Sequence, residues 1–228
     1  MVGQQISHYT VGEKIGEGGM GVVYKAQDSR LDRTVALKFL AAHLLDDPEA
    51  KVRFLREAKA AAGLDHPNVC TVHEIGEADG KTFLSMAFIE GQSLDARIEQ
   101  GPLQIAEALD IGRQVAAGLQ AAHEKGIIHR DIKPANILID PKGRAVIMGF
   151  GLARLIEASS PTKPETTLGT VAYMSPEQLQ GAGTDHRSDI WSLGVVLYEM
   201  ALRRSVTGRC EKIDFGDPSM VIPNDLSP

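Results

Sequence analysis

One stretch of eight residues decides how this sequence is interpreted: His129-Arg130-Asp131-Ile132-Lys133-Pro134-Ala135-Asn136. The order H-R-D-x-K-x-x-N is typical of a loop at which a phosphoryl group is transferred. In such a loop the aspartate accepts the proton of an attacking hydroxyl, and the asparagine holds a magnesium ion. The stretch therefore predicts phosphoryl-transfer chemistry, provided that the other parts of such a site occur in the right order.

The segment Gly149-Phe150-Gly151 stands downstream where a metal-binding Asp-Phe-Gly sequence would be expected. That aspartate normally holds the magnesium that bridges the β- and γ-phosphates. Glycine has no side-chain oxygen and adds backbone freedom. Asn136 is then the one predicted protein ligand of the magnesium ion, although magnesium prefers negatively charged oxygen ligands such as carboxylates. Asp140 lies nearby in the sequence, but nothing places it at the phosphates, so we expect weakened metal binding.

A glycine-rich segment near the N-terminus predicts another part of the site. It reads Gly16-Glu17-Gly18-Gly19-Met20-Gly21-Val22-Val23, or G-x-G-x-x-G-x-V. Glycines let a strand-turn-strand backbone close over phosphates without clashes from Cβ atoms. Taken alone the pattern is weak, since a simple hairpin accounts for it equally well. Because the glycines lead into a predicted strand and not a helix, they argue against a dinucleotide-binding fold.

Lys38 closes the strand-like segment Val35-Ala36-Leu37-Lys38 and is the predicted phosphate-binding lysine. Such a lysine needs a carboxylate partner to orient it. Glu57, in the middle of an alanine-rich predicted helix, is the preferred partner. Arg53 lies four residues before Glu57 and offers a surface ion pair as the alternative.

Length and composition are those of an ordinary globular protein. The chain has 228 residues, of which 24% are charged and 43% hydrophobic, enough for one large domain or two small lobes. A net charge of −6 provides no basic surface for nucleic acid. Two cysteines imply no disulfide framework, and no secretory N-terminus is recognised, so we expect a cytoplasmic location. The longest apolar run, residues 190–202, is too short and too polar to span a bilayer.

The hydrophobic pattern changes at Glu90-Gly91-Gln92-Ser93, which is the predicted hinge. Before it, alternating residues predict strands over 11–15, 22–26, 35–39 and 82–88, with one helix from Pro48 to Gly63. After it, helical spacing predicts two helices. Their apolar positions are Ile105, Leu109, Gly112, Ala116 and Leu119 in the first, and Ile190, Leu193, Leu197 and Met200 in the second. Residues 158–167 are polar and contain prolines, which favours a loop.

Taken in order, these segments resemble the eukaryotic-type serine/threonine protein kinase family, as found in bacteria. The resemblance covers about residues 9–202 and includes the stretches GTVAYMSPE at 169–177 and DIWSLG at 189–194. Lys133 and Thr170 are similar to the serine/threonine branch of that family. The resemblance implies an α+β, two-lobed kinase fold. It would comprise a small β-rich N-lobe at residues 9–90, an incomplete helical C-lobe at 91–202 and a divergent tail at 203–228.

The resemblance also implies ATP and Mg²⁺ as cofactors and a role for each site residue. Asp131 would be the base, Lys133 would steady the γ-phosphate, Lys38 with Glu57 would hold the other phosphates, and Asn136 would bind the metal. The glycine-rich loop, the gatekeeper, the hinge and the walls of the adenine pocket would bind ATP. These residues are Ile15, Gly16, Glu17, Gly18, Gly19, Met20, Gly21, Val22, Val23, Ala36, Lys38, Met86, Ala87, Phe88, Ile89 and Leu138.

Regulation and partners follow from the same resemblance. An arginine at the position of Arg130 pairs with a phosphate on the activation loop in kinases of this pattern. Thr166 and Thr167 lie in that loop and are candidate phosphosites, with plain solvated threonines as the alternative. The implied partners are a protein substrate and a second kinase copy as a dimer partner. Neither nucleic acid nor a membrane segment of this chain is implied.

Two functions stay open at this point. The first is a serine/threonine kinase with impaired turnover, which Asp131 and Lys38 favour. The second is a nucleotide-binding pseudokinase acting through partner contacts, or a non-functional fragment, which Gly149 and the divergent tail favour. Family kinases bury the equivalent of Glu177 against an arginine from a region that this tail does not resemble. We therefore expect Glu177 to be unpaired and the helix at residues 190–200 to lose part of its cover.

Overall fold

The first lobe is built on one antiparallel sheet. The structure, a computed structural model, describes residues 1–18, 21–41, 48–150 and 171–202. The strands are β1 (Gln5–Ile6), β2 (Tyr9–Gly18), β3 (Gly21–Asp28), β4 (Arg33–Leu40), β5 (Val72–Ala78) and β6 (Lys81–Ala87). They lie in the order β1-β2-β3-β4-β6-β5, and each neighbouring pair is antiparallel. Helix α1 (Pro48–Ala61) contacts β5 and buries Ala58 completely.

The second lobe is mainly helical in the described residues. It contains β7 (Gln92–Ser93), α2 (Leu94–Glu99), α3 (Ile105–His123), a 3₁₀ turn (Pro134–Asn136), β8 (Ile137–Ile139), β9 (Ala145–Ile147), α4 (Pro176–Leu179) and α5 (His186–Leu202). The three short strands form a sheet in the order β7-β8-β9. Helices α3 and α5 approach each other closely at Gly112. A Cβ atom added to this glycine would lie only 2.6 Å from Leu197 Cδ2.

The two-lobed kinase fold predicted from the sequence is confirmed. The four predicted strands fall on β2, β3, β4 and β6, and the predicted helix start at Pro48 is the start of α1. Strands β1 and β5 were not predicted. Side chains along β5 are mostly half-buried, so its sequence lacks the sharp alternation of apolar and polar residues that marks a strand.

The apolar stripe predicted for α3 is partly wrong. Ile105 and Leu109 are 58% and 62% exposed, although Leu119 is fully buried. The face that packs into the C-lobe core carries Ala108, Ile111, Val115, Leu119 and Ala122. Both stripes keep helical spacing, and the sequence alone does not show which one meets the neighbouring elements.

The expectation that α5 loses its cover is likewise only partly right. Leu193, Val196 and Met200 are buried in the same core as α3. One face of α5 therefore packs on α3, while Ile190, Trp191 and Tyr198 on the rest of the helix are exposed.

Glu177 has a hydrogen-bond partner in the described residues, although the partner is a serine and not the arginine that family kinases use. Its Oε1 accepts a hydrogen bond of 2.5 Å from Ser188 Oγ, at the start of α5. This hydrogen bond is the main reason why the pKa of Glu177 lies below its ordinary value.

None of the helices in the described ranges is long and apolar enough to cross a membrane.

Candidate active site

The predicted catalytic residues meet around the carboxylate of Asp131. Lys133 Nζ lies 3.0 Å from Asp131 Oδ2, and Asn136 Nδ2 donates to the same oxygen at 2.9 Å. Asn136 Nδ2 also donates to the main-chain oxygen of Asp131 at 2.7 Å. Pro134 at the start of the 3₁₀ turn folds the chain back, so Asn136 reaches an aspartate five residues earlier. The loop therefore holds a base, a cation and an amide in one hydrogen-bonded group.

His129 connects this loop to the segment that contains Gly149. Its Nε2 donates to the main-chain oxygen of Met148 at 2.8 Å, and its Nδ1 accepts from the Asp131 main-chain nitrogen at 3.2 Å. The ring also meets the Phe150 ring edge-on, with centroids 4.6 Å apart. These contacts keep the backbone at residues 148–150 beside the catalytic loop even though residue 149 is a glycine.

Asp189 positions the catalytic loop, a role that the sequence did not reveal. Its two carboxylate oxygens accept from the main-chain nitrogens of His129 at 2.8 Å and Arg130 at 2.7 Å. His123 Nε2 lies 2.8 Å from Oδ2 of the same carboxylate. Burial acts to raise the pKa of Asp189, but hydrogen bonds from His123 and the loop amides hold it below its ordinary value. The sequence signal was the stretch DIWSLG at 189–194, which marked Asp189 as part of the family resemblance but did not show what it contacts.

Arg130 has a strained backbone that its neighbours hold in place. Its φ is +67°, in the left-handed region that non-glycine residues rarely adopt. Asp189 accepts from its main-chain nitrogen, and Gln178 Nε2 donates to its main-chain oxygen at 2.8 Å. Gln178 lies on α4, so the segment that follows the predicted activation loop is joined directly to the residue before the base.

Lys38 faces the catalytic loop from the other lobe. It lies on β4 between Val23 of β3 and Leu84 of β6. Burial lowers the pKa of Lys38 to about 8, Asp131 acts to raise it, and Lys133 acts to lower it further. Both loop residues are therefore close enough to act electrostatically on Lys38, as a site that spans the two lobes requires.

An apolar cluster lies next to these polar groups, where the resemblance places adenine. Ala36 and Met86 are buried in it, and Val23 and Ile89 pack against it. Leu138 pairs with Val146 across β8 and β9, and Val146 belongs to the same cluster. Paired residues of an antiparallel ladder share a face. The cluster thus contains the predicted wall residues Val23 and Ala36, while Leu138 is connected to it through its ladder partner Val146.

The glycine-rich segment forms a tight hairpin between β2 and β3. Its register pairs Gly16 with Val23, Glu17 with Val22 and Gly18 with Gly21. Gly21 has a φ of +130°, and a Cβ atom there would lie 1.9 Å from the Phe39 main-chain oxygen. Only glycine fits this close approach to β4. Ile15 lies in β2 and is 45% exposed.

No described contact joins the Phe88 side chain to the apolar cluster where adenine is expected. Instead Lys25 Nζ lies over its ring, 4.8 Å from the centroid. Phe88 and Ile89 also line a surface cavity beside the hinge, together with Asp140 and Arg144. The Phe88 side chain is half-buried and contacts Lys25, and its part in ATP binding stays a prediction.

Several predicted residues lie outside what the structure describes. They are Gly19 and Met20, Gly151, and the candidate phosphosites Thr166 and Thr167. The backbone of Glu57 belongs to α1, but its side chain is outside the described part. The pairing of Lys38 with Glu57 and the link between Arg130 and a loop phosphate stay predictions.

The described side chains do not fit a magnesium ion held as in family kinases. Gly149 brings no side-chain oxygen, and the amide nitrogen of Asn136 is turned to Asp131, so Asn136 can offer a neutral amide oxygen. Asp140 does not replace the missing carboxylate, because it accepts from Arg144 Nε at 3.0 Å and lies beside the hinge. In the described ranges, no three His, Cys, Asp or Glu residues are grouped so as to hold a metal.

Residues 9–215 match the protein kinase domain family, so the chain belongs to that family. It is 42% identical over 211 residues to the serine/threonine-protein kinase PrkC of Bacillus subtilis, covering 92% of this chain and 32% of the relative. It is also 42% identical to the serine/threonine-protein kinase PknB of Mycobacterium leprae, covering 84% of this chain and 32% of that protein. The chain thus spans about a third of the length of these relatives.

Solved structures agree with this assignment. The PknI kinase domain of Mycobacterium tuberculosis superimposes with a TM-score of 0.74 at 31% identity, covering 88% of this chain and 74% of that one. A single-residue mutant of the same domain gives a TM-score of 0.75 at 30% identity, covering 92% of this chain and 81% of that one. The sequence relatives are serine/threonine-protein kinases, which confirms the branch of the family that Lys133 and Thr170 indicated.

Proposed function

We propose that this chain is a serine/threonine protein kinase domain that transfers the γ-phosphoryl group of ATP to protein hydroxyls with low turnover. The observation that carries the proposal is the hydrogen-bonded group of Asp131, Lys133 and Asn136 facing Lys38 across the two lobes. Both described contacts of the Asp131 carboxylate use Oδ2, which leaves Oδ1 to accept the proton of a substrate hydroxyl. The adjacent apolar cluster supports adenine binding.

Low turnover follows from Gly149. Stabilisation of the transferring phosphoryl group by charge is the main catalytic contribution in this reaction, and one customary anionic metal ligand is absent. Lys133 and Lys38 still place positive charge beside the phosphates. The protein substrate, a kinase dimer partner, the phosphosites and the cytoplasmic location belong to the proposal as well.

The direct test is transfer of labelled phosphate from ATP by the purified 228-residue chain, to itself and to a generic serine/threonine substrate. Asp131→Asn is the matched control, because it keeps the shape of the loop and removes the base. We expect slow incorporation that Asp131→Asn abolishes. Incorporation equal in both proteins, or absent from both, would contradict the proposal.

A nucleotide-binding pseudokinase is the second candidate, and Gly149 is the observation that favours it. This candidate predicts that ATP raises the melting temperature of the chain while no phosphate is transferred, since a ligand that binds only the folded state stabilises it. Absence of both effects would indicate a non-functional fragment.

A further inference from the structure

The peptide group between Arg130 and Asp131 is held on both sides. Its carbonyl oxygen accepts a hydrogen bond from Gln178 Nε2 at 2.8 Å, and its N–H donates to His129 Nδ1 at 3.2 Å. Arg130 has a φ of +67°, a conformation that persists in a residue other than glycine only where the surroundings hold it. Rotation of this peptide group would move Asp131, so the contact from Gln178 helps to set where the proposed base lies.

Gln178 makes this contact from a helix that has its own attachments to α5. Ser188 Oγ donates to Glu177 Oε1 at 2.5 Å, and Ser192 Oγ donates to the main-chain oxygen of Tyr173 at 2.7 Å, just before α4 begins. Helix α5 also carries the aspartate that accepts from two amides of the catalytic loop. The loop is therefore held by α5 through two main-chain nitrogens and by α4 through one carbonyl oxygen.

The side-chain amide of Gln178 has two different partners. Its Oε1 accepts from the Ser175 main-chain nitrogen at 3.0 Å and completes the capping box of α4, while its Nε2 donates to the Arg130 carbonyl. A capping box accepts glutamate as well as glutamine at this position. A carboxylate has no proton to donate to a carbonyl oxygen. The helix cap alone does not require glutamine, but the contact with the catalytic loop does.

We propose that Gln178 is a positioning residue for Asp131. Its amide ties the peptide group between Arg130 and Asp131 to α4 and keeps the Asp131 carboxylate where phosphotransfer needs it. The effect on turnover rests on the proposed function, whereas the contact itself does not. A displacement of about 1 Å caused by a change away from the chemistry can lower a rate about 10²-fold.

The test is Gln178→Glu in the full 228-residue chain. The new side chain has the same shape and can still accept from the Ser175 nitrogen, but it faces the Arg130 carbonyl with an acceptor in place of a donor. Initial rates of transfer from labelled ATP are measured over a range of ATP concentrations. We expect kcat to fall at least about tenfold while KM for ATP stays within about twofold, because no residue proposed to bind ATP is changed.

Two control variants separate this contact from charge and from the helix cap. Gln180→Glu makes the same charge change two residues further on, at an exposed side chain, and should keep the parental kcat. Ser175→Ala removes the hydroxyl that accepts from the Gln178 main-chain nitrogen. It should lower the melting temperature and keep kcat within about twofold. A parental kcat in Gln178→Glu, or an equal loss of kcat in either control, would overturn the inference.

Amide hydrogen exchange tests the contact without any enzymatic activity. The main-chain N–H of Asp131 should exchange at least about tenfold faster in Gln178→Glu than in the parent, and at the parental rate in Gln180→Glu, because the peptide group has lost one of its two attachments. Unchanged exchange in a folded Gln178→Glu would overturn the inference. A parent chain that transfers no phosphate would overturn the proposed function instead, and exchange at Asp131 would still decide whether Gln178 holds the loop.

Discussion

Replacing Gly149 by aspartate is the perturbation that tests the proposed catalytic site most directly. Among the described residues there is room for the side chain, since no atom other than those of the two chain neighbours lies within 4 Å of the Cβ position. The backbone is less permissive, because the φ of +87° is in the left-handed region. An L-residue there costs about 1–2 kcal/mol, with aspartate near the lower end because its side chain can form local hydrogen bonds.

The catalytic gain should exceed this cost. Electrostatic groups aimed at a transition state contribute about 10²–10³ in rate each. A folded domain with about 5–15 kcal/mol of stability remains folded after a loss of about 1–2 kcal/mol. We therefore expect Gly149→Asp to transfer phosphate about 10²–10³ times faster than the parent while it melts about 2–8 °C lower.

The assay is the initial rate of transfer from labelled ATP under saturating magnesium, with melting temperatures measured in parallel. Gly143→Asp isolates the backbone cost, because its φ of +79° and its open Cβ position match those of Gly149. It should melt lower by a similar amount and transfer phosphate at the parental rate. A folded Gly149→Asp that is no faster than the parent would refute the idea that the missing carboxylate limits turnover.

Other variants test the base, the regulatory loop and the core. Asp131→Asn should lower phosphotransfer at least about 10²-fold in the labelled-ATP assay, and unchanged activity would assign the reaction to another site. Mass spectrometry after incubation with ATP should find phosphate on Thr166 or Thr167, and phosphate found only elsewhere would contradict this. Met200→Ala, at a fully buried position, should lower the free energy of unfolding by about 2–5 kcal/mol in urea titrations. Tyr198→Ala, 40% exposed on the same helix, should cost less, and a larger cost there would show that this face is covered.

Much of the fold and most of the chemical inventory could be predicted from the sequence. Asp131, Lys133 and Asn136 lie within six residues, so their meeting depends on one local turn that Pro134 begins. Sharp alternation of apolar residues likewise revealed the central strands. The absence of a carboxylate at Gly149 is visible in the sequence itself and needs no structure.

Contacts between distant parts of the chain could not be predicted in the same way. Asp189 holds the amides of His129 and Arg130 from sixty and fifty-nine residues away, and Ser188 donates a hydrogen bond to Glu177, which the sequence did not indicate. Which stripe of α3 is buried also depended on what packs against it.

The sequence by itself determined the family and supplied the residues on which the proposed phosphotransfer depends, because both reside in short motifs whose residues act locally. Tertiary structure alone decided that Asp140 lies beside the hinge and does not replace the carboxylate that Gly149 lacks, and that Lys38 shares its surroundings with Lys133. The physical reason is that these relations depend on how two lobes and five helices pack in the described residues, and packing is set by distances in space and not along the chain.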